Sequence, residues 1–277
     1  MKMRLHKKLS RLMRRKVRVS VLSSHGIGVL AHSKNGLLVV EAGDFSVGRT
    51  LLQEGEYDWK EIQWLRKCLG PDAQHMVIIG THVGALLVPL SAHCHKITGF
   101  EADKTNFDLL NHNMALNQVS NATVHNIAVG DSKRIVNVKR NILNTGNTSV
   151  EVSEKRSDHN VEMTTLDDDV GYEHIDLMIM DIEGHELHAL KGAGKTLEKT
   201  DKLFIEFAPE QLREHGAKPE EVLDILGSKF SHMYICGKKI AAYKVSEGST
   251  FVRQHMGGKG YLKNILYSKH ALSDDLL

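Results

Sequence analysis

The sequence predicts a doubly wound α/β fold on a mostly parallel sheet, preceded by a small N-terminal β meander. Three observations predict it. After Pro71, short apolar runs alternate with segments of helical periodicity, the pattern of βαβ crossovers that set strands in parallel and helices on both faces. Before Tyr57, apolar runs are divided instead by Ser-His-Gly and Lys-Asn-Gly turn signals. With 277 residues, 41% of them apolar, the chain can bury a full core as one large domain with additions.

The elements follow in order. Residues 1–18 hold nine Lys or Arg, and no acid precedes Glu41, so the net charge of +2 hides a remainder near −7. Leu5, Leu9, Leu12 and Met13 would form one apolar stripe if this segment were helical. Such a segment can contact an anionic membrane or a nucleic acid; the plainer reading is a solvated or docked leading helix. Residues 19–70 are expected to hold the meander (VRVSVL, GIGVLAH and GLLVVEA) and a lead-in helix, in which Trp59, Ile62, Leu65 and Leu69 share a face until Gly70-Pro71 ends it. From 71 to 277 strands are predicted at 76–80, 96–103, 122–130, 175–181, 202–209, 232–237 and 261–269. Helices are predicted at 84–93, 104–118, 185–198 and 219–229, and a polar hairpin-like insertion at 132–164. No run of 18 apolar residues occurs, and three dispersed cysteines (Cys68, Cys94, Cys236) fit reduced thiols, so the expected compartment is cytoplasmic, with peripheral membrane contact as the alternative.

Ligands of open α/β sheets bind at the carboxyl ends of strands, so the residues there carry the functional reading. The first strand runs into Gly80-Thr81-His82-Val83-Gly84, a turn that lets a ligand approach the backbone. The second ends at Glu101, about twenty residues on, placed to accept both hydroxyls of a ribose. A nucleoside-containing cofactor is the natural ligand. NAD and FAD fit poorly, because His82 and Ala85 stand where a dinucleotide fingerprint needs glycine. The fourth strand ends in DIEGHE: Asp181 and Glu183 face the predicted crevice, with His185 at the start of the following helix, while Glu186 can equally complement that helix's dipole.

These residues resemble the FkbM-type family of S-adenosylmethionine-dependent methyltransferases. The matching pieces are LLQEGEYDWKE (51–61), IIGTHVGA (78–85), GFEADKTNFDLLNHNMALN (99–117), HNIAVGD (125–131), TLDDDV (165–170), DIEGHELHALKGA (181–193) and LFIEFAP (203–209). The resemblance implies a seven-stranded Rossmann-like class I methyltransferase sheet and S-adenosyl-L-methionine as cofactor. It implies that Gly80, Thr81, His82 and Gly84 pass beneath the methionine moiety and that Glu101 holds the ribose. Ala102 or Asp103 would edge the adenine and Asn126, Ile127 and Ala128 would wall it, with Asp181 near the sulfonium. Glu183 and His185 would be the catalytic candidates, and Tyr57 and Glu206 would touch the acceptor. One departure stands out: Ile78 occupies the position of the family's usual aspartate, so either Glu54 or Asp181 replaces that acid or the cofactor binds weakly.

The expected reaction is O-methylation of a small-molecule or sugar-type hydroxyl, with a carboxylate or histidine as base. The alternatives are a non-catalytic, weakly binding relative, and a methyltransferase that meets a nucleic-acid or membrane-associated substrate through residues 1–18. A small-molecule acceptor is the favoured partner, nucleic acid is not, and self-association is left open. No metal is indicated: His93-Cys94-His95 cannot readily converge, and His185 and His188 lack a third ligand.

Overall fold

The computed structural model describes residues 28–141, 144–146, 149–151, 160–171, 173–258 and 260–277; segment 1–18 and the first arm of the expected meander, VRVSVL, lie outside them. The two later arms form a hairpin, β1 (Val29–Ser33) and β2 (Gly36–Val40), with Ala31 opposite Leu38. Between hairpin and lead-in helix lies a helix the apolar pattern does not announce, α1 (Val47–Glu54). Asp44 sets its start, accepting from Ser46 N at 2.9 Å and Gly48 N at 2.7 Å. The lead-in helix is α2 (Trp59–Leu69), whose Ile62, Leu65, Cys68 and Leu69 are buried as the spacing requires.

The crossover units come next: β3 (His75–Ile79), α3 (Leu87–Ser91), β4 (Lys96–Phe100), α4 (Lys104–Leu116) and β5 (Ala122–His125). The predicted third strand breaks at Asn126. Its second half, β6 (Ala128–Val129), joins β7 (Arg134–Lys139), β8 (Ser149–Glu151) and β9 (Asn160–Thr164) in a separate four-stranded sheet of order β6-β9-β7-β8. The hairpin-like insertion is therefore a small sheet of its own. The chain continues through α5 (Leu166–Asp169), β10 (Leu177–Met180), α6 (Glu186–Lys191) and α7 (Gly194–Glu198), so the expected helix 185–198 is split at Gly192-Ala193. Then follow β11 (Lys202–Phe207), α8 (Pro209–Glu214), α9 (Pro219–Lys229), β12 (His232–Ile235), β13 (Ala241–Lys244), α10 (Val245–His255) and β14 (Lys263–Ser268).

The main sheet has the order β13-β12-β14-β11-β10-β3-β4-β5. Strands β5, β4, β3, β10 and β11 are mutually parallel, and β14 enters antiparallel between β11 and β12. The seven predicted strands are all there, and β13 adds an antiparallel edge. Both faces are covered, which explains the continuous apolar runs. Along β3, Met76 and Ile78 face a core with Ile62, Leu65 and Leu110, whereas Val77 and Ile79 face one with Leu190, Leu203 and Leu223. Among the described residues no helix is long and apolar enough to cross a membrane.

Strand order reverses beside β3, where β4 leads one way and β10 the other, so a crevice opens at the carboxyl ends of β3, β4 and β10. The hairpin packs against α4, the helix that follows β4. Asn113 of α4 accepts from Val39 N at 2.6 Å and donates to Val39 O at 3.1 Å and to Val83 O at 2.8 Å; Asn117 does the same with Leu37 N and O at 3.0 and 2.7 Å. Two helix side chains thus stand in for the neighbouring strand that β2 lacks.

Candidate active site

The crevice is a cleft of about 300 Å³. At one end lies the glycine turn. Gly80 has φ +85°, and a Cβ there would lie 1.9 Å from Asp181 O, so only glycine lets the turn pass this close to the end of β10. Gly80 N and Thr81 N both donate to Phe100 O, at 3.0 and 3.1 Å, which ties the turn to the end of β4. Glu101 follows, 7% exposed. Its carboxylate accepts from His82 N at 2.8 Å and Asp103 N at 2.9 Å, and burial still raises its pKa to about 7 against those two hydrogen bonds. Asp103 caps α4 by accepting from Asn106 N at 2.8 Å and meets Arg140 at 3.0 Å.

The uncharged part of the cleft is lined by Phe100, Ala102, Ile127 and Ala128. Asn126 does not line it; its amide donates to Glu101 O at 2.8 Å and Ala102 O at 3.1 Å and so shapes the loop that does. Gly84 is also behind the wall, with φ +90°. Of the residues expected at the cofactor, Gly80, Thr81, His82, Glu101, Ala102, Ile127, Ala128 and Asp181 share this cleft, and Gly84 and Asn126 support it.

At the other end Tyr57 of the lead-in, Asp181, Glu183 and His185 beyond the end of β10, and Glu206 near the end of β11 line the same cleft. The carboxylates of Asp181, Glu183 and Glu206 come within 4.8 Å of one another, a set of oxygens a cation could bridge and one that no linear spacing reveals. Asp181 is open to the water of the cleft but stands at its floor with protein on every side. Burial and Asp58 raise its pKa. Glu183 is raised to about 8 by burial and by Asp181 while Gln211 donates to it, and Glu206 to about 9 by burial and the neighbouring acids. The Tyr57 hydroxyl is held protonated by burial and by Asp58, Asp181 and Glu206.

Three of the four non-glycine residues with positive φ among those described, Asp58 (46°), His82 (49°) and Glu183 (55°), sit at or beside this cleft. Each costs on the order of 1 kcal/mol, and such strain concentrates where side chains must be aimed.

His185 behaves differently from a free base. Its Nε2 lies 3.2 Å from Val150 N and accepts from it, and its ring centroid lies 4.2 Å from that of His215. Burial, then His215 and His188, press its pKa down to about 3. Glu186 faces the backbone instead of the acceptor: it is 1% exposed and accepts from Ile182 N at 3.1 Å and Gly184 N at 3.2 Å, which fastens the strand exit. Ile78 is 1% exposed in the core against α2 and α4 and does not reach the cleft. Of the two expected replacements, Asp181 lies in the cleft and Glu54 does not.

Residues 79–238, more than half of the chain, match the family described as the Methyltransferase FkbM domain. The chain belongs to the FkbM methyltransferase family. The FkbM domain begins within β3 and ends just past β12, so it contains the glycine turn, Glu101, the insertion sheet and the carboxylate cluster. Tyr57 and the hairpin precede it and β14 follows it. The chain is also similar to the 2-O-methyltransferase NoeI of Sinorhizobium fredii, 37% identical over 71 residues, which is 24% of this chain and 29% of that protein. The match thus spans less than a third of NoeI. Among solved structures, TYW2 of M. jannaschii in complex with AdoMet is 13% identical at a TM-score of 0.43, over 87% of this chain and 84% of that one. Magnesium protoporphyrin IX methyltransferase of Synechocystis PCC 6803, with bound SAM, is 13% identical at 0.40, over 76% and 77%.

Sequence reasoning missed the contributors that lie far along the chain. Asn144, Thr145 and Gly146 roof the cleft from the insertion, and Gln211 of α8 holds Glu183. Asp58, whose field raises Asp181 and Tyr57, was legible only as a residue of the lead-in. The one signal for any of them is the PEQ at 209–211, which continues directly from the strand carrying Glu206.

Proposed function

We propose that this FkbM methyltransferase uses S-adenosyl-L-methionine to methylate a hydroxyl of a small, sugar-type molecule. The observation that carries the reading is one cleft with two chemically distinct ends. A buried carboxylate beside an apolar slot suits a nucleoside, and a cluster of acids suits a positive sulfonium and a hydroxyl that must lose its proton. The donor set fits the cofactor: Glu101 would accept from the ribose hydroxyls, Ala102, Ile127 and Ala128 would flank the base, and Asp181 would stand toward the positive end in place of the acid that Ile78 lacks. The partial similarity to a 2-O-methyltransferase supports a hydroxyl acceptor.

Bound there, the cofactor supplies an electrophilic methyl group whose bond electrons leave with sulfur. The chain's own residues must align the acceptor oxygen and take its proton. Glu183 suits the proton transfer, because it is aimed by a left-handed backbone and by Gln211, and its pKa near 8 lies close to working pH. His185 does not, because its acceptor nitrogen is engaged by Val150 and its basicity is low. It serves as the peg on which β8 hangs. Tyr57, kept protonated, hydrogen-bonds Asp58 and so presents an uncharged hydroxyl at the acceptor end.

Calorimetric titration with S-adenosylmethionine, S-adenosylhomocysteine and NAD tests the reading. Both S-adenosyl compounds are expected to bind and NAD is not. Folded protein that binds neither S-adenosyl compound overturns the cofactor, and undiminished binding in Glu101→Ala overturns the ribose role.

A further inference from the structure

His82 occupies the middle of the glycine turn, where a small residue would suffice for the turn itself. It makes two connections. Its backbone N–H donates to Glu101, and its ring reaches out of the turn so that Nε2 lies 2.8 Å from Thr145 Oγ1. Thr145 lies in a turn between β7 and β8 and lines the cleft with its neighbours Asn144 and Gly146, itself only 2% exposed. A second side chain grips the same residue from the cofactor side: Asn106 of α4 donates to Thr145 O at 3.2 Å.

We propose that His82 is a positioning residue that fastens the 144–146 stretch across the cleft, so that its ring sets how tightly the nucleoside end is enclosed. The inference rests on the cofactor reading above for its consequence but not for its geometry. The reach of the side chain explains the residue type. Thr145 is 63 residues away on a different sheet's connection, and the far nitrogen of the imidazole reaches it at 2.8 Å. Burial keeps the ring uncharged at neutral pH, so it acts as a hydrogen-bond partner for a hydroxyl and not as a cation. The left-handed backbone at φ +49° aims it, and because the same residue's N–H holds Glu101, ribose carboxylate and roof are registered to one another through a single residue.

The test uses the full chain and four variants: His82→Ala, His82→Asn, Thr145→Val and the double variant His82→Ala/Thr145→Val. Hydrogen exchange of the cofactor-free protein is expected to show amides 144–146 exchanging about tenfold faster in the first three, the effect of one net hydrogen bond, with β3 and β4 unchanged. S-adenosylhomocysteine affinity should fall by about the same factor, and the double variant should be no worse than the worse single. Thr145→Val leaves the turn's backbone alone, so it reports on the fastening even if position 82 proves intolerant. Wild-type exchange at 144–146 in His82→Ala and Thr145→Val, or losses that simply add, would overturn the proposal. Failure of the wild-type chain to bind S-adenosylhomocysteine would instead overturn the cofactor reading, while the exchange data would still decide the fastening.

Discussion

Glu183 and Glu206 keep company that no carboxylate seeks in water. With Asp181 they share a space of less than 5 Å, and their pKa values near 8 and 9 mean that the cluster holds protons at neutral pH and sheds them on the alkaline side. A positive ligand should therefore feel the cleft strengthen as pH rises. The affinity of S-adenosylmethionine relative to its uncharged product S-adenosylhomocysteine is expected to grow about tenfold between about pH 6 and pH 9, on the order of 1 kcal/mol of charge attraction. In Glu206→Gln the rise should flatten. Calorimetry with both ligands measures the ratio, and a ratio independent of pH refutes the charge argument. Asp181 and Glu183 were readable in the sequence because they lie at a strand exit, and Glu206 because the family resemblance places it at the acceptor. The histidine beside them misled, since nothing in DIEGHE shows that Val150, 35 residues upstream, uses the ring as an acceptor.

Helix α4 shows why elements were easier to read than their purposes. Its apolar spacing predicts a helix, and the helix is there, but Asn106, Asn113 and Asn117 look in the sequence like side chains turned to water. Asn113 is instead fully buried and satisfies the backbone of β2 as a strand would, while Asn117 does so from a half-exposed place. Truncating a buried partner leaves its donors and acceptors unsatisfied at about 1–3 kcal/mol each, and water can replace an exposed one. Asn113→Ala is therefore expected to destabilise the chain by about 3 kcal/mol and Asn117→Ala by about 1 kcal/mol or less, read from denaturant unfolding midpoints. Equal effects would show that the hairpin is held by its apolar face alone. The helices α1 and α10 and the strand β13 escaped the sequence reading because they bury few residues, three in α1, two in α10 and none in β13, so few large apolar side chains mark them.

The molecule as a whole carries two opposing sets of buried titrating groups. Glu101, Glu183, Glu186 and Glu206 have pKa values raised to between about 7 and 9, so between about pH 4.5 and those values the folded chain holds protons the unfolded chain has lost. That contribution is present at low pH and disappears as pH rises through 7 to 9. His82 and His185, lowered to about 4 and 3, act in the other direction: below about pH 6.5 the unfolded chain binds the extra protons, so stability falls as pH falls. With four raised acids against two lowered histidines, ligand-free protein should be most heat-stable near about pH 4.5 and lose several degrees by about pH 9, with a smaller loss in Glu206→Gln. A midpoint that keeps climbing from pH 6 to pH 8 contradicts this balance. The hairpin turn adds a matter of ageing. Asn35, 1% exposed, donates its amide to Tyr57 O and Ala85 O at 2.8 and 2.9 Å and accepts from Tyr57 N at 2.9 Å, so one side chain holds the cleft tyrosine against the start of the cofactor side. The next residue is Gly36, the neighbour that least hinders attack of a peptide nitrogen on an asparagine amide. Loss of that amide would turn a donor into a carboxylate facing two carbonyl oxygens, and the tyrosine would come loose in a chain otherwise still folded.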